Sequence, residues 1–260
     1  MARLTPGGVT PNVRCAFFDG EKWRKDSVAI PAEIALTIKV NGYEIARILC
    51  TPTRLPQLVL GYLYSEGVIT GKDDVTRLQI GGDEKVADVM LKNSEYIPPH
   101  RGTLTSGCGS GVSSEAQVQR IDSDLAVKPE EVLSLMKQLY QQQNLFKEGG
   151  GMHCSALGEG ENLLIVVEDI GRHNTLDKIM GECLLNGLSA KDRILLTTGR
   201  ISSEMPLKAA RMQAPVVVSR GTPTDRAIWL GRKLGITIIG YARDKRLSVF
   251  SERQRVTGTI

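Results

Sequence analysis

The chain has 260 residues, 41% of them hydrophobic, enough to bury a sizeable core in one large domain or two modest ones. Its formal net charge of +4 comes from dispersed lysines and arginines, which suits an anionic small ligand and argues against nucleic acid, as does an aromatic content of 5%. No run approaches the roughly 20 apolar residues of a membrane helix, so no membrane partner is expected.

The start of the chain, Met-Ala-Arg-Leu-Thr-Pro-Gly-Gly, lacks the apolar segment of a signal peptide. The five cysteines, Cys15, Cys50, Cys108, Cys154 and Cys183, are odd in number and show no framework spacing. Free thiols in a reducing compartment are the simplest reading, and a cytoplasmic location is expected.

In chain order, residues 1–30 read as irregular, with at most a short strand at Val13–Phe18. Ile34, Leu36, Ile38 and Val40 alternate strictly, and Asn41-Gly42 then supplies a hairpin turn, with a return strand over Ile45–Leu49. A helix is predicted over Leu58–Glu66, stopped by Gly67, and strands over Leu78–Ile80 and Val86–Leu91. Residues 92–125 carry few periodic apolar positions and read as a long mobile loop. This places a boundary near Asp124–Lys128, between a β-rich domain (1–126) and a second domain (127–260).

The second half is more regular. Pro129, Glu130 and Glu131 open a helix. Strands follow at His153–Leu157 and Leu163–Val167, then helix 174–186, strand Ile194–Thr198, helix 203–212 and strand Val216–Ser219. Helix 224–234 and strands Ile236–Tyr241 and Leu247–Phe250 complete the chain. Such alternation predicts an α/β domain with a mixed, mostly parallel sheet in three layers.

Residues 166–177, Val-Val-Glu-Asp-Ile-Gly-Arg-His-Asn-Thr-Leu-Asp, set five polar side chains where a strand turns into a helix. In open α/β sheets ligands bind at such places, although a charged turn with a helix cap reads the same way. Ser202 or Ser203 and Thr222-Pro223-Thr224 are positioned to cap the following helices. Two helix N-termini with Arg172 and Arg200 would suit a pyrophosphate, and His173 would line the same wall. Tyr241-Ala242-Arg243-Asp244-Lys245-Arg246 offers an aromatic ring and three cations to a base and its phosphates, or is a solvated β-turn. Cys108, in Ser106-Gly107-Cys108-Gly109, is flanked by glycines that free the backbone and leave the sulfur uncovered, a setting for sulfur relay. Cys154 beside His153 is a second candidate thiol, with burial in a strand as the simpler reading.

The ordered set Thr105-Ser106-Gly107-Cys108-Gly109, Gly149-Gly150-Gly151-Met152-His153, Glu168-Asp169-Ile170-Gly171-Arg172-His173-Asn174, Thr198-Gly199-Arg200-Ile201-Ser202-Ser203-Glu204, Gly221-Thr222-Pro223-Thr224 and Gly240-Tyr241-Ala242-Arg243 resembles the formate dehydrogenase accessory sulfurtransferase family (FdhD/NarQ type) from about Glu33 onward. The resemblance implies a C-terminal domain of cytidine-deaminase-like fold and a persulfide on Cys108, loaded by a cysteine desulfurase. It also implies that the segment from Tyr241 to Arg246 binds the molybdenum cofactor in its bis(molybdopterin guanine dinucleotide) form, carried as substrate toward the formate dehydrogenase catalytic subunit by a homodimer. The family loop reads Cys-x-x-Cys. Here the second position is Gly111, which leaves either a one-thiol relay or a cofactor-binding chaperone without sulfur chemistry. The fold also hosts zinc deaminases, but His153 is followed by Cys154 and Ser155, and the chain contains no Cys-x-x-Cys, so zinc is not expected.

Overall fold

The computed structural model describes residues 7–81, 85–97, 103–104 and 118–259. The N-terminal stretch, expected to be irregular apart from a short strand at Val13–Phe18, forms a hairpin of β1 (Val9–Phe18), which contains that strand, and β2 (Trp23–Pro31). Most of its residues are exposed on both faces, so selection for a one-sided apolar pattern is absent and period-2 reading fails.

A five-stranded sheet follows, in the order β5-β6-β3-β4-β7. Its strands are β3 (Ile34–Val40), β4 (Tyr43–Cys50), β5 (Val75–Gly81), β6 (Val86–Leu91) and β7 (Thr103–Leu104). The two-residue β7 lies in the stretch expected to be loop. The β3–β4 turn has positive φ at Asn41 and Gly42, as Asn-Gly predicts. Asn41 also holds the next segment: its Nδ2 donates to the carbonyls of Asn93 and Tyr96, and its Oδ1 accepts from the Leu91 amide. Helix α1 (Leu55–Ser65) covers this sheet with Leu58, Val59 and Leu63, against Leu36, Ile38 and Ile48.

The second half begins with α2 (Pro129–Gln141) and a short α3 (Asn144–Gly149), the latter unforeseen. Its strands are β8 (His153–Glu159), β9 (Asn162–Asp169), β10 (Ile194–Thr197), β11 (Val216–Ser219), β12 (Thr237–Arg243) and β13 (Arg246–Val249). Its later helices are α4 (Arg172–Asn186), α5 (Glu204–Arg211) and α6 (Asp225–Leu234). The sheet order is β13-β12-β11-β10-β8-β9. Only β10–β11 and β11–β12 pair in parallel, and the other three pairings are antiparallel, so the sheet is mixed and not mostly parallel. Two of the three have a local cause: β8–β9 and β12–β13 are joined by tight turns, and such joins impose antiparallel pairing. Alternate residues face opposite ways. Leu195, Val217 and Ile238 pack under α4, α5 and α6, whereas Leu196, Val218 and Ile239 pack under α2. Among the described residues, no helix is long and apolar enough to cross a membrane.

Helices α1 and α4 cross at two glycines. A Cβ on Gly61 would lie 1.8 Å from the Asp177 carbonyl oxygen, and one on Gly181 would lie 1.9 Å from that of Gln57. Around this crossing polar side chains are paired and buried. Lys178 Nζ meets Asp169 Oδ2 at 2.6 Å, both side chains wholly shielded. Lys208 Nζ meets Asp177 Oδ1 at 2.6 Å, and Ser65 Oγ donates to the same oxygen.

Candidate functional site

Three of the five polar residues at the end of β9 hold the fold together. Asp169 accepts from the backbone amides of Thr51 and Gly171 and from Asn174 Nδ2. Asn174 also donates to the Leu49 carbonyl, so this turn clamps β4 to the second half. The Glu168 carboxylate accepts the amides of Leu145 and Phe146, each at 2.9 Å, and so supplies the acceptors that the open N-terminus of α3 lacks.

Arg172 and His173 point elsewhere. His173 Nε2 lies 2.7 Å from Ser202 Oγ and 3.7 Å from Glu204 Oε2. Gly199, following β10, lies against the Arg172 side chain and His153 Nδ1. The cluster thus gathers His153, Arg172, His173, Ser202 and Glu204, while Arg200 is exposed to solvent. Burial pushes the His173 imidazole down to about 3, helped by the Arg172 charge. Burial and Arg172 also lower His153. Burial raises the Glu204 carboxyl to about 7, against the pull of Lys208. The cluster therefore presents a guanidinium beside neutral imidazoles, a surface that favours an anion.

Folded Glu204 holds its proton between the ordinary 4.5 and about 7, so its contribution is full below pH 4.5 and is lost as pH rises through 7. We expect Glu204→Gln to gain on the parent by about 1–3 kcal/mol between pH 5 and pH 8 in denaturant titrations. A difference that does not change with pH would contradict a raised carboxyl.

Neither Ser202 nor Ser203 caps α5 with its side chain. Ser203 starts that helix in helical backbone without a side-chain bond, and the Ser202 hydroxyl is engaged by His173. Thr224 does cap α6, accepting from the Ala227 amide. The expected pair of capped N-termini is therefore reduced to one.

A cleft of about 840 Å³ opens where the three parallel strands end. Thr198 follows β10, Arg220 follows β11, and Ala242 and Arg243 end β12; all four line it, with Asp244. The opposite wall is α2 and the residues after it, including Lys137, Tyr140 and Gln143. The Arg220 guanidinium lies 4.8 Å from the Tyr140 ring centroid. Gln143 is 3% exposed, and its amide nitrogen has no hydrogen-bond partner. Thr198 and Gly199 join this cleft to the Arg172–His173 cluster through adjacent residues.

The segment from Tyr241 to Arg246 is thus divided. Ala242, Arg243 and Asp244 face the cleft. Tyr241, in left-handed backbone, packs on Phe250 with ring centroids 6.2 Å apart, and Lys245 and Arg246 are exposed. Sequence reasoning missed Lys137, Tyr140, Gln143 and Arg220. Tyr140 follows the buried Leu139 at the exposed end of α2, and Gln143 closes a Gln-Gln-Gln run that carries no motif.

Cys108 lies outside the described residues. Cys50, Cys154 and Cys183 are buried. Burial pushes the Cys50 thiol to about 12 and Cys183 to about 11, and it raises Cys154 as well. Placing His153 beside Cys154 does not activate that thiol: the two side chains alternate across β8, and the Cys154 side sits in the core with Ala156 and Leu196. Cys15 is half-buried on β1.

Comparison with known proteins places this geometry in a lineage. The sulfur carrier protein FdhD of Bacillus subtilis (strain 168) is 38% identical over 232 residues, covering 86% of this chain and 88% of its own. Its counterpart in Staphylococcus haemolyticus is 37% identical over 237 residues, covering 87% and 89%. A crystal structure described as a formate dehydrogenase accessory protein, from Desulfotalea psychrophila, superposes with a TM-score of 0.78. It covers 94% of this chain and 98% of its own, and at 23% identity it speaks for the fold. The sequence profile of the FdhD/NarQ family matches residues 31–257, and the chain belongs to that family.

Proposed function

We propose that this protein is a cytoplasmic, homodimeric sulfur carrier in formate dehydrogenase maturation. It takes persulfide sulfur from a cysteine desulfurase and delivers it to the molybdenum cofactor in its bis-guanine dinucleotide form, before that substrate passes to the formate dehydrogenase catalytic subunit. In the loading step the Cys108 thiolate attacks the terminal sulfur of the donor persulfide. The donor S–S bond breaks, the donor cysteine leaves as thiolate, and a new S–S bond forms on Cys108. We place the cofactor on a C-terminal domain of cytidine-deaminase-like type, residues 127–260.

The observation that carries this reading is the cleft at the carboxyl ends of β10, β11 and β12, the usual ligand position in such sheets. Its chemistry fits a nucleotide. Arg243 and Lys137 bring charge for phosphates, the Tyr140–Arg220 pair offers a stacking surface, and the orphaned Gln143 amide offers a donor to a base carbonyl. Calorimetry should show GDP binding more tightly than ADP. Arg243→Ala should weaken GDP by about 1–3 kcal/mol, the scale of charged hydrogen bonds. Arg246→Ala, outside the cleft lining, should weaken it less. No GDP binding at millimolar concentration would remove the cofactor pocket.

Gly111 favours one second reading, a chaperone that carries the cofactor without sulfur chemistry. Cys108→Ala separates the two. It abolishes maturation of the dehydrogenase if the thiol carries sulfur, and spares it if the protein only carries cofactor.

A further inference from the structure

A second cleft, of about 570 Å³, opens at the other edge of the six-stranded sheet. Lys191 and Asp192 precede β10 and Gln213 precedes β11, so the cleft sits at the amino ends of the strands that carry the first cleft at their carboxyl ends. The C-terminal end of α1 closes one side through Tyr64 and Ile69, and the end of α5 closes the other through Ala210 and Arg211.

Arg211 is the anomaly here. Its Nε and Nη2 are both shut off from water and have no hydrogen-bond partner, and no ion pair involves it among the described residues. The cations buried as whole residues are satisfied: Lys178 by Asp169, Lys208 by Asp177, and Arg255 Nη1 by the Gly235 carbonyl at 2.7 Å, whereas Arg211 is half-buried with its donor edge turned inward. A charged donor edge buried without an acceptor is costly and persists where something repays it. A favourable interaction with the end of the α5 dipole needs only charge, and an exposed guanidinium supplies that without burying two N–H groups. The acids of the cleft do not answer Arg211 either. Of these acids, Asp122 and Asp192, neither forms an ion pair with Arg211 among the described residues, and Asp192 Oδ1 accepts from Ser123 Oγ at 2.6 Å.

We propose that this cleft binds a small organic carboxylate, gripped by the Nε–Nη2 edge of Arg211. That edge is one of the two-donor faces of a guanidinium and matches the two coplanar oxygens of a carboxylate. Reaching the ligand requires the guanidinium to turn toward the cleft, and the turn breaks no hydrogen bond because that edge makes none. Lys191, exposed at the rim, adds a second positive charge. Ile69 and Ile121 give the cleft an apolar wall, which suits a carboxylate carried on a hydrocarbon or aromatic body better than a bare inorganic anion. The site is separate from the proposed nucleotide cleft and stands or falls independently of it.

The test uses benzoate as probe, with inorganic phosphate as comparison, titrated into the whole protein by calorimetry. Benzoate is expected to bind, phosphate to bind more weakly, and Arg211→Gln to weaken benzoate on the order of tenfold or more. Arg211→Lys keeps the charge but not the fork and should not restore it. No benzoate binding, equal binding in Arg211→Gln, or tighter binding of phosphate than of benzoate would overturn the assignment. Should Arg211→Gln fail to fold, crystals of the parent soaked in benzoate read the same geometry. A carboxylate on the Arg211 edge supports the site, and a ligand elsewhere or none at all overturns it.

Discussion

Gly181→Ala is expected to destabilise the protein by at least about 3 kcal/mol in urea titrations, an effect of overpacking against an immovable neighbour. On an exposed helix the same change would stabilise by up to about 1 kcal/mol, because alanine is the better helix former. Here the sign reverses. The added Cβ would sit 1.9 Å from the Gln57 carbonyl oxygen and 2.5 Å from its carbon, and both atoms are backbone and cannot rotate aside. Helices α1 and α4 would have to separate, opening the junction of the two cores that Tyr64 and Leu184 share. Gly61→Ala, facing the Asp177 carbonyl, should behave alike. Gly71→Ala, with extended backbone and open space around it, is the control and should cost little. Equal stability of Gly181→Ala and the parent would show that the helices do not cross this closely.

Lys178→Met should cost about 3–5 kcal/mol, the scale of removing one partner from a buried ion pair. Lys178 is wholly buried, with Asp169 at 2.6 Å and acceptors from the Thr51 carbonyl, Thr53 Oγ1 and the Glu168 carbonyl nearby. Without the ammonium, Asp169 keeps three donors, from Thr51, Gly171 and Asn174, but its negative charge is left in the core. The double change Lys178→Met with Asp169→Asn removes both charges and should recover part of the loss. If the double variant is less stable than Lys178→Met by the full cost of a second independent change, the two residues are not coupled as described.

These two effects mark where sequence reading stops. The strands β3, β4, β6 and β8–β12 and the helices α1, α2 and α4–α6 were legible because each carries an apolar period and a turn or cap signal at its ends. Val216–Val218 is an apolar, β-branched run set off by Pro215 before it and Ser219-Arg220 after it, and Asn41-Gly42 supplies a hairpin turn. Of the hairpin β1–β2 only Val13–Phe18 was legible, because a ribbon exposed on both faces has no period to read. Gly61 and Gly181 look like weak points in helices, and only the partner's backbone explains them. The polar run after β9 announced a site, yet Glu168, Asp169 and Asn174 serve the fold, and nothing in one sequence tells a buried acceptor from a ligand contact. The cleft itself was half visible: Ala242, Arg243 and Asp244 belong to a segment rich in cations, whereas Tyr140, Gln143 and Arg220 come together only through the placement of α2 against the strand ends.

The proposed role of Cys108 as the sulfur-bearing residue is open to direct test. The most direct measurement is the mass of the intact protein, and of its peptides, after incubation with a cysteine desulfurase and cysteine. A gain of one sulfur atom mapped to Cys108 is expected, absent in Cys108→Ala and unchanged in Cys154→Ala, whose thiol is buried in β8. A protein that gains no sulfur, or gains it equally in Cys108→Ala, would contradict it.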